Sequence, residues 1–265
     1  MIKKIHYCWF GRKKPDAVAR NVDAWARLNP DFEICEWNES NVDVSYCGLG
    51  RKAVESGKWA FVADIVRLEK LVKEGGFYLD SDVELLRPLN VVGDKLELGY
   101  MYECALGTAV MYAPPAHPYV CDILRSYPYL NLDKWTVNNT IFTAYFINQV
   151  PGFLLNGRAW ENELCRLYPK EIFEQPSFIR SRGMSIHHCC GSWKKELKRG
   201  FGFERQVSVI SHLLKWASRK RRTWLAARTN EFTPCYRAAL RGQHVSFDVS
   251  GIYTVENPYY IKNEK

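Results

Sequence analysis

Two aspartates one residue apart, Asp80-Ser81-Asp82, follow the apolar triplet Phe77-Tyr78-Leu79. At a strand end such a pair presents the hard oxygens that Mg²⁺ or Mn²⁺ takes when it bridges a diphosphate. The spacing alone is shared with many solvated turns, so its neighbours decide its meaning. Upstream, Asp64 and Arg67 lie in a helical run. On a wheel of 3.6 residues per turn Asp64 falls between Phe61, Leu68 and Leu71, with Arg67 on the adjacent flank. A carboxylate in an apolar stripe is costly without a partner or a task. One reading is an intrahelical Asp64–Arg67 pair. The other is that both project toward the strand end carrying Asp80 and Asp82, where Asp64 takes sugar hydroxyls and Arg67 neutralises phosphate or sugar oxygens. A third cluster, His187-His188-Cys189-Cys190-Gly191-Ser192-Trp193-Lys194, joins imidazole, hydroxyl, indole and ammonium around a glycine. Such a loop can close over a metal–diphosphate, with an imidazole on the metal and Lys194 on phosphate.

The elements that must position these groups alternate between strand and helix. Ile5 to Phe10 reads as a buried strand, 16–28 as a helix stopped by Asn29-Pro30, and Phe32 to Trp37 as an alternating strand. Residues 57–74 form a strong helix ended by Gly75-Gly76, and Phe77-Tyr78-Leu79 then runs straight into the aspartates. Strands are expected from Val83 to Leu86, at 98–103 and at 108–113, with helices at 119–127 and about 137–149. The segment 150–206 reads as irregular, 207–228 as a helix, and the last 35 or so residues carry no pattern. The alternation predicts an α/β layer structure.

Composition sets the outer limits. The 265 residues are 47% hydrophobic and 25% charged, enough for a buried core. Aromatics reach 14%, a mild hint of flat ligands. No run approaches the ~20 apolar residues of a membrane span. Nine cysteines, an odd count without a Cys-x-x-Cys pair, argue against a disulfide framework or structural zinc and fit a reducing cytosol. The net charge of +8 is local, because residues 194–228 carry eleven Lys or Arg against two Glu.

In chain order the pieces are Ile5-His6-Tyr7-Cys8-Trp9-Phe10-Gly11, Trp59 to Leu68 with Asp64 and Arg67 inside it, Gly75 to Val83, and His187-His188 up to Trp193. This combination resembles the sugar transferases that carry a DXD motif, glycosyltransferase family 32, among them bacterial capsule and lipopolysaccharide enzymes. The resemblance covers roughly residues 1–90 well and 185–195 moderately. It implies a GT-A type nucleotide-sugar-binding fold, a Rossmann-like mixed sheet with flanking helices, followed by a basic helical C-terminal part. It also implies a nucleotide-sugar donor (a UDP-sugar favoured over a GDP-sugar), Mn²⁺ or Mg²⁺ as cofactor, and retention of anomeric configuration. By the same resemblance Trp9 stacks on the base, Asp64 and Arg67 hold the donor sugar, and Tyr78 lines the donor pocket. Asp80 then touches ribose, sugar or metal, Asp82 binds the metal, and Ser192 with Trp193 meets the diphosphate. His188, with Gly191 three residues on, resembles the metal-binding histidine of the related family 8 galactosyltransferases. The loop departs from that family in ending Ser-Trp-Lys-Lys, which leaves the role of Lys194 open. No nucleophile is identifiable from sequence; Asn138 and Asn139 are candidates for the acceptor side.

The expected organisation is a catalytic domain over 1–206 with a basic helix and tail, 207–265, packed on it. The expected activity is hexosyl transfer to a glycan or lipid-linked acceptor in bacterial surface polysaccharide synthesis. Two other classes share part of the pattern. Haloacid-dehalogenase-type phosphatases use Asp-x-Asp at a strand end but expect Thr or Val where this chain has Glu84. The other is a non-catalytic nucleotide- or carbohydrate-binding module. The basic stretch, with Lys215, Arg219, Lys220, Arg221 and Arg222 interleaved with Trp216 and Trp224, accompanies no nucleic-acid motif. It fits an anionic membrane surface, which predicts a cytoplasmic enzyme peripheral on the inner face of the cell membrane. Lying far from the aspartates in sequence, these charges read as separate from the metal site.

Overall fold

The structure is a computed structural model and describes residues 1–11, 13–189 and 209–254. Its elements in chain order are β1 (Lys4–Cys8), α1 (Asp16–Leu28), β2 (Glu33–Trp37), α2 (Gly48–Glu55), α3 (Trp59–Glu74), β3 (Gly76–Leu79) and β4 (Val83–Leu85). There follow β5 (Leu96–Tyr102), β6 (Ala105–Ala113), α4 (Pro118–Ser126), α5 (Asn138–Gln149), β7 (Trp160–Glu161) and β8 (Cys165–Tyr168). The last are α6 (Lys170–Phe173), β9 (Ser185–His187), α7 (Val209–Thr229) and α8 (Thr233–Leu240).

Seven strands form one mixed sheet in the order β2-β1-β3-β6-β5-β8-β7. β1 runs parallel to β2 and β3, and β5 parallel to β8; the β3–β6, β5–β6 and β7–β8 pairs are antiparallel. Side chains alternate across the strands, so each sheet face has its own core. Tyr78 and Met111 point into a cluster with Ile65, Leu68 and Phe142, while Phe77, Leu79 and Val110 point into one with Val18, Trp25 and Phe173. The expected sheet with helices on its faces is therefore what the chain forms. α3 ends where expected because Gly75 and Gly76 adopt φ of +65° and +102°. A Cβ on Gly75 would also stand 2.7 Å from Pro115 Cδ. No other residue takes both that conformation and that contact cheaply.

The segment expected to be irregular is not wholly so. It holds β7, β8, α6 and β9, each only two to four residues long, below the length at which hydrophobic period can be read. β9 pairs with β4 in a two-stranded antiparallel sheet, with Val83 opposite His187. α2 and α8 were also illegible, being one face of eight residues each. The C-terminal stretch, patternless in sequence, packs on the main body: Phe232, Cys235, Ile252 and Tyr253 belong to the α3–α5 core cluster. Among the described residues no helix is long and apolar enough to cross a membrane, and the eight described cysteines are free thiols.

Candidate active site

The Asp80–Asp82 turn is built from beneath. The Asp80 N–H donates to Ala109 O at 2.8 Å, and Val83 N–H donates back to Asp80 O at 2.9 Å, closing the turn at the end of β3. α1 supplies the rest of the support. Asn21 Nδ2 donates to Ser81 O and Val83 O at 3.0 and 2.6 Å, and Trp25 Nε1 donates to Val83 O at 2.9 Å. Asn21 and Trp25 are buried, so these bonds form in a medium where an unmade one would be costly. The turn is accordingly not surface-facing: Asp82 is only 6% exposed.

α3 brings Asp64 and Arg67 to the same place. Arg67 Nη2 lies 3.3 Å from Asp64 Oδ1 and 2.8 Å from Asp80 Oδ1, and Nη1 donates to Thr108 O and Thr108 Oγ1 at 2.6 and 2.7 Å. The intrahelical pair forms, and it points at the strand end that carries Asp80. The guanidinium stacks at 4.3 Å over the Tyr78 ring, and its buried Nε has no hydrogen-bond partner among the described residues. Arg67, itself buried, thus holds Asp64 and Asp80 in place beside the cleft. Burial raises the pKa of Asp64 to about 6, partly offset by Arg67, and burial likewise raises Asp80 against the opposing pull of Arg67 and His187.

The imidazole beside the aspartates is His187, not His188. Its Nε2 lies 3.4 Å from Asp82 Oδ1 and 4.0 Å from Asp80 Oδ2. His188, expected as the metal ligand, directs Nε2 to Glu84 Oε2 at 3.0 Å, on the opposite side of the strand. Register accounts for the split: Glu84 stands opposite Ile186 in the β4–β9 pair, so His188, two residues on from Ile186, shares the face of Glu84, and His187 takes the other face, where Asp82 reaches it from the turn ahead of β4. Sequence adjacency could not distinguish the two histidines.

Glu174 is the residue that sequence reasoning missed. It has no solvent exposure; Oε2 accepts from His187 Nδ1 at 2.8 Å, and Oε1 accepts from the Ala109 N–H at 3.2 Å. Its own carbonyl accepts from the His187 N–H at 3.0 Å. A Cβ at position 107 would stand 2.2 Å from Glu174 Oε1, so Gly107 is what lets the carboxylate in. Nothing in the flanking sequence marks Glu174, since its partners come from β6 and β9.

Asp80, Asp82 and His187 offer three ligand atoms all within 4.8 Å of one another. Two carboxylate oxygens and one imidazole nitrogen suit Mn²⁺ or Mg²⁺ with open positions left over. The electrostatics agree. Burial opposes a charge on His187, yet Asp82, Cys189 and Glu174 outweigh it and hold its pKa well above that of free imidazole. The pocket wants a positive charge where a cation would sit. Glu174 on Nδ1 fixes the tautomer that turns Nε2 toward the aspartates, an arrangement common behind metal-bound histidines.

These groups line one cleft of about 760 Å³ that also takes in Trp9, Tyr78, Thr108 and Asn139. Trp9, at the end of β1, is 8% exposed, part of the core cluster and part of the cleft wall. Trp59, stacked on Phe10 at 6.0 Å, adds an aromatic surface near it. Asn138 N–H donates to Asp64 Oδ2 at 3.3 Å, while its buried Nδ2 has no hydrogen-bond partner among the described residues. Ser192, Trp193 and Lys194, expected to meet the diphosphate, lie outside the described residues. The basic helix is not separate from the site, as its sequence distance suggested: Arg219 Nη1 donates to His187 O at 2.6 Å and Nη2 to His188 O at 3.3 Å.

Among curated proteins the chain is similar to the subversion of eukaryotic traffic protein A of Legionella pneumophila, 30% identical over 31% of this chain. The chain spans only 17% of that relative's length. Among solved structures it is similar to the PaToxG glycosyltransferase, with 18% identity, 57% of this chain and 70% of that one covered, and a TM-score of 0.48. A glycosyltransferase involved in the glycosylation of the major capsid of PBCV-1 gives 9% identity, 71% and 94% coverage and a TM-score of 0.44. Residues 15–98, about a third of the chain, match the model of the glycosyltransferase sugar-binding region containing a DXD motif, and that stretch holds Asp64, Arg67 and Asp80-Ser81-Asp82.

Proposed function

We propose that this protein is a metal-dependent, retaining glycosyltransferase of GT-A type. It would move a hexosyl group from a nucleotide sugar, a UDP-sugar before a GDP-sugar, to a glycan or lipid-linked acceptor. The observation that carries this reading is the meeting of Asp80, Asp82 and His187 with the Asp64–Arg67 pair in one cleft, all but His187 drawn from the DXD-matched region. Surface polysaccharide synthesis in a bacterial cytosol is the setting in which those parts serve together. The likeness to the DXD region supports sugar transfer itself. Residues 1–206 form the catalytic domain in this reading, and 207–265 pack on it.

Asp80, Asp82 and His187 would hold Mn²⁺ or Mg²⁺, which when bound offsets the charge of the departing diphosphate. The chain's own residues do the remaining work. Trp9 offers an indole face for the base. Asp64, held by Arg67 and the Asn138 N–H, accepts from sugar hydroxyls, and the free Asn138 Nδ2 can donate to another. Tyr78 packs under Arg67 and closes the floor of the pocket. Ser192, Trp193 and Lys194 are assigned to the diphosphate. As the anomeric carbon–diphosphate bond breaks and the carbon gains positive character, an acceptor hydroxyl on the leaving-group side would form the new bond and pass its proton to the departing diphosphate oxygen, which retains configuration without a carboxylate nucleophile.

A hydrolysis screen over nucleotide sugars tests the proposal, because water replaces the acceptor slowly in such sites. Turnover of one donor that needs Mn²⁺ or Mg²⁺ and disappears in Asp82→Asn is expected. Turnover unaffected by excess chelator removes the metal from the mechanism, and binding of a nucleoside diphosphate with no turnover at all makes the protein a binding module.

A further inference from the structure

α7 presents two unlike faces. The inward face carries His212, Trp216, Arg219 and Thr223: Trp216 meets Phe178 edge-on at 5.0 Å, His212 Nε2 lies 3.2 Å from Phe178 O, and Thr223 is buried. Trp216 thus packs against Phe178, itself an exposed side chain. The outward face carries Ile210, Leu214, Trp224 and Leu225, which are 71%, 67%, 53% and 53% exposed. A run of this length would normally bury such residues, and the whole helix holds Lys215, Arg219, Lys220, Arg221, Arg222 and Arg228 with no acidic residue.

We propose that the outward face of α7 docks on an anionic lipid surface, lying in its plane. Leucine, isoleucine and tryptophan would enter the acyl boundary while Lys215, Lys220, Arg221 and Arg228 meet phosphate headgroups. Charge complementarity selects an anionic partner, and the exposed aliphatic residues select lipid over nucleic acid, which has no apolar layer for Ile210 or Leu214 to enter. The helix is also placed to matter. Its inward Arg219 holds the carbonyls of His187 and His188, and the chain leaves α7 directly into Asn230 and Phe232, which line the cleft. Docking therefore sets the mouth of the cleft beside the membrane, where an acceptor carried on a lipid would present its sugar. That last step rests on the sugar-transfer reading; the docking does not.

The test uses the whole chain and vesicles of phosphatidylcholine, pure or with about a third phosphatidylglycerol. Wild type is expected to sediment with the anionic vesicles and not with the neutral ones. Each cation near such a surface raises partitioning about fivefold, so the quadruple variant Lys215→Gln, Lys220→Gln, Arg221→Gln, Arg228→Gln should lose more than a hundredfold. The double variant Leu214→Ser, Leu225→Ser keeps every charge and should still lose binding about tenfold or more. Arg219 is left intact because it holds the His187 backbone. Equal sedimentation with neutral and anionic vesicles, none with either, or a quadruple variant that behaves as wild type overturns the proposal. So does tighter binding to a single-stranded oligonucleotide that the leucine variant leaves unchanged, which assigns the face to nucleic acid. Nucleotide-sugar hydrolysis is measured on the same samples and should be unaltered in both variants. Its absence in wild type would refute the sugar reading and leave the vesicle result standing.

Discussion

The floor of the cleft and the outward face of α7 are both dense in charge, and the chain treats them oppositely. On the floor every charge is placed by another: Arg67 holds Asp64 and Asp80, and Glu174 holds His187 against Asp82. On α7 the outward cations stand among exposed apolar side chains. A buried ion has lost its hydration and cannot do without its partners, whereas an exposed one keeps its water and gives up little when a neighbour is removed. The difference teaches where this molecule tolerates change, and each substitution below presses on it.

The largest effect should come from Arg67→Met. It leaves Asp64 and Asp80 without their common cation in a buried site, so denaturant unfolding should show a loss of about 3–5 kcal/mol, with turnover abolished. A loss under ~1 kcal/mol would mean that water reaches the pair and the contrast with α7 is overstated. Metal binding comes next. Saturating Mn²⁺, at about a hundred times its dissociation constant, should stabilise wild type by roughly 2.7 kcal/mol, read as a rise in Tm. Asp82→Asn should abolish that rise while unfolding close to metal-free wild type; an undiminished rise would place the ion elsewhere.

Glu174→Gln separates positioning from ligation. The amide can still meet His187 but no longer fixes its tautomer, so Mn²⁺ affinity should fall 10–100-fold by calorimetry, with the three ligands intact. Unchanged affinity would reduce Glu174 to a packing residue. Trp25→Phe removes the donor to Val83 O beneath the turn and should cost about 1–2 kcal/mol. At the far end of the scale, Arg221→Gln on α7 should change stability by no more than about 0.5 kcal/mol. A cost above ~1 kcal/mol would show that the outward face is part of the fold and not a surface held in reserve.

The local elements were legible because their signals are local. α1 was readable over its full length from its apolar spacing and the Asn29-Pro30 stop, and α3 from its stripe and Gly75-Gly76. Asp64 was conspicuous as a carboxylate in that stripe, and the strand end at Leu79 placed Asp80 and Asp82. β7, β8 and β9 are too short to show a period, and α8 is a single face of eight residues whose Cys235 joins the main core cluster.

What the sequence determined by itself is the set of chemical groups and the elements that carry them: a strand delivering two aspartates, a helix delivering Asp64 and Arg67, and one strongly basic helix. What only the tertiary structure decided is which groups meet. His187 was chosen over His188 by the register of β4 against β9, more than a hundred residues apart in the chain. Glu174 was brought in through α6 and the gap at Gly107, and Arg219 reached the same loop from α7. Periodicity and capping act over a few residues and are written in the order of the chain. Register and side-chain face depend on pairings between distant segments, and those exist only once the sheet has formed.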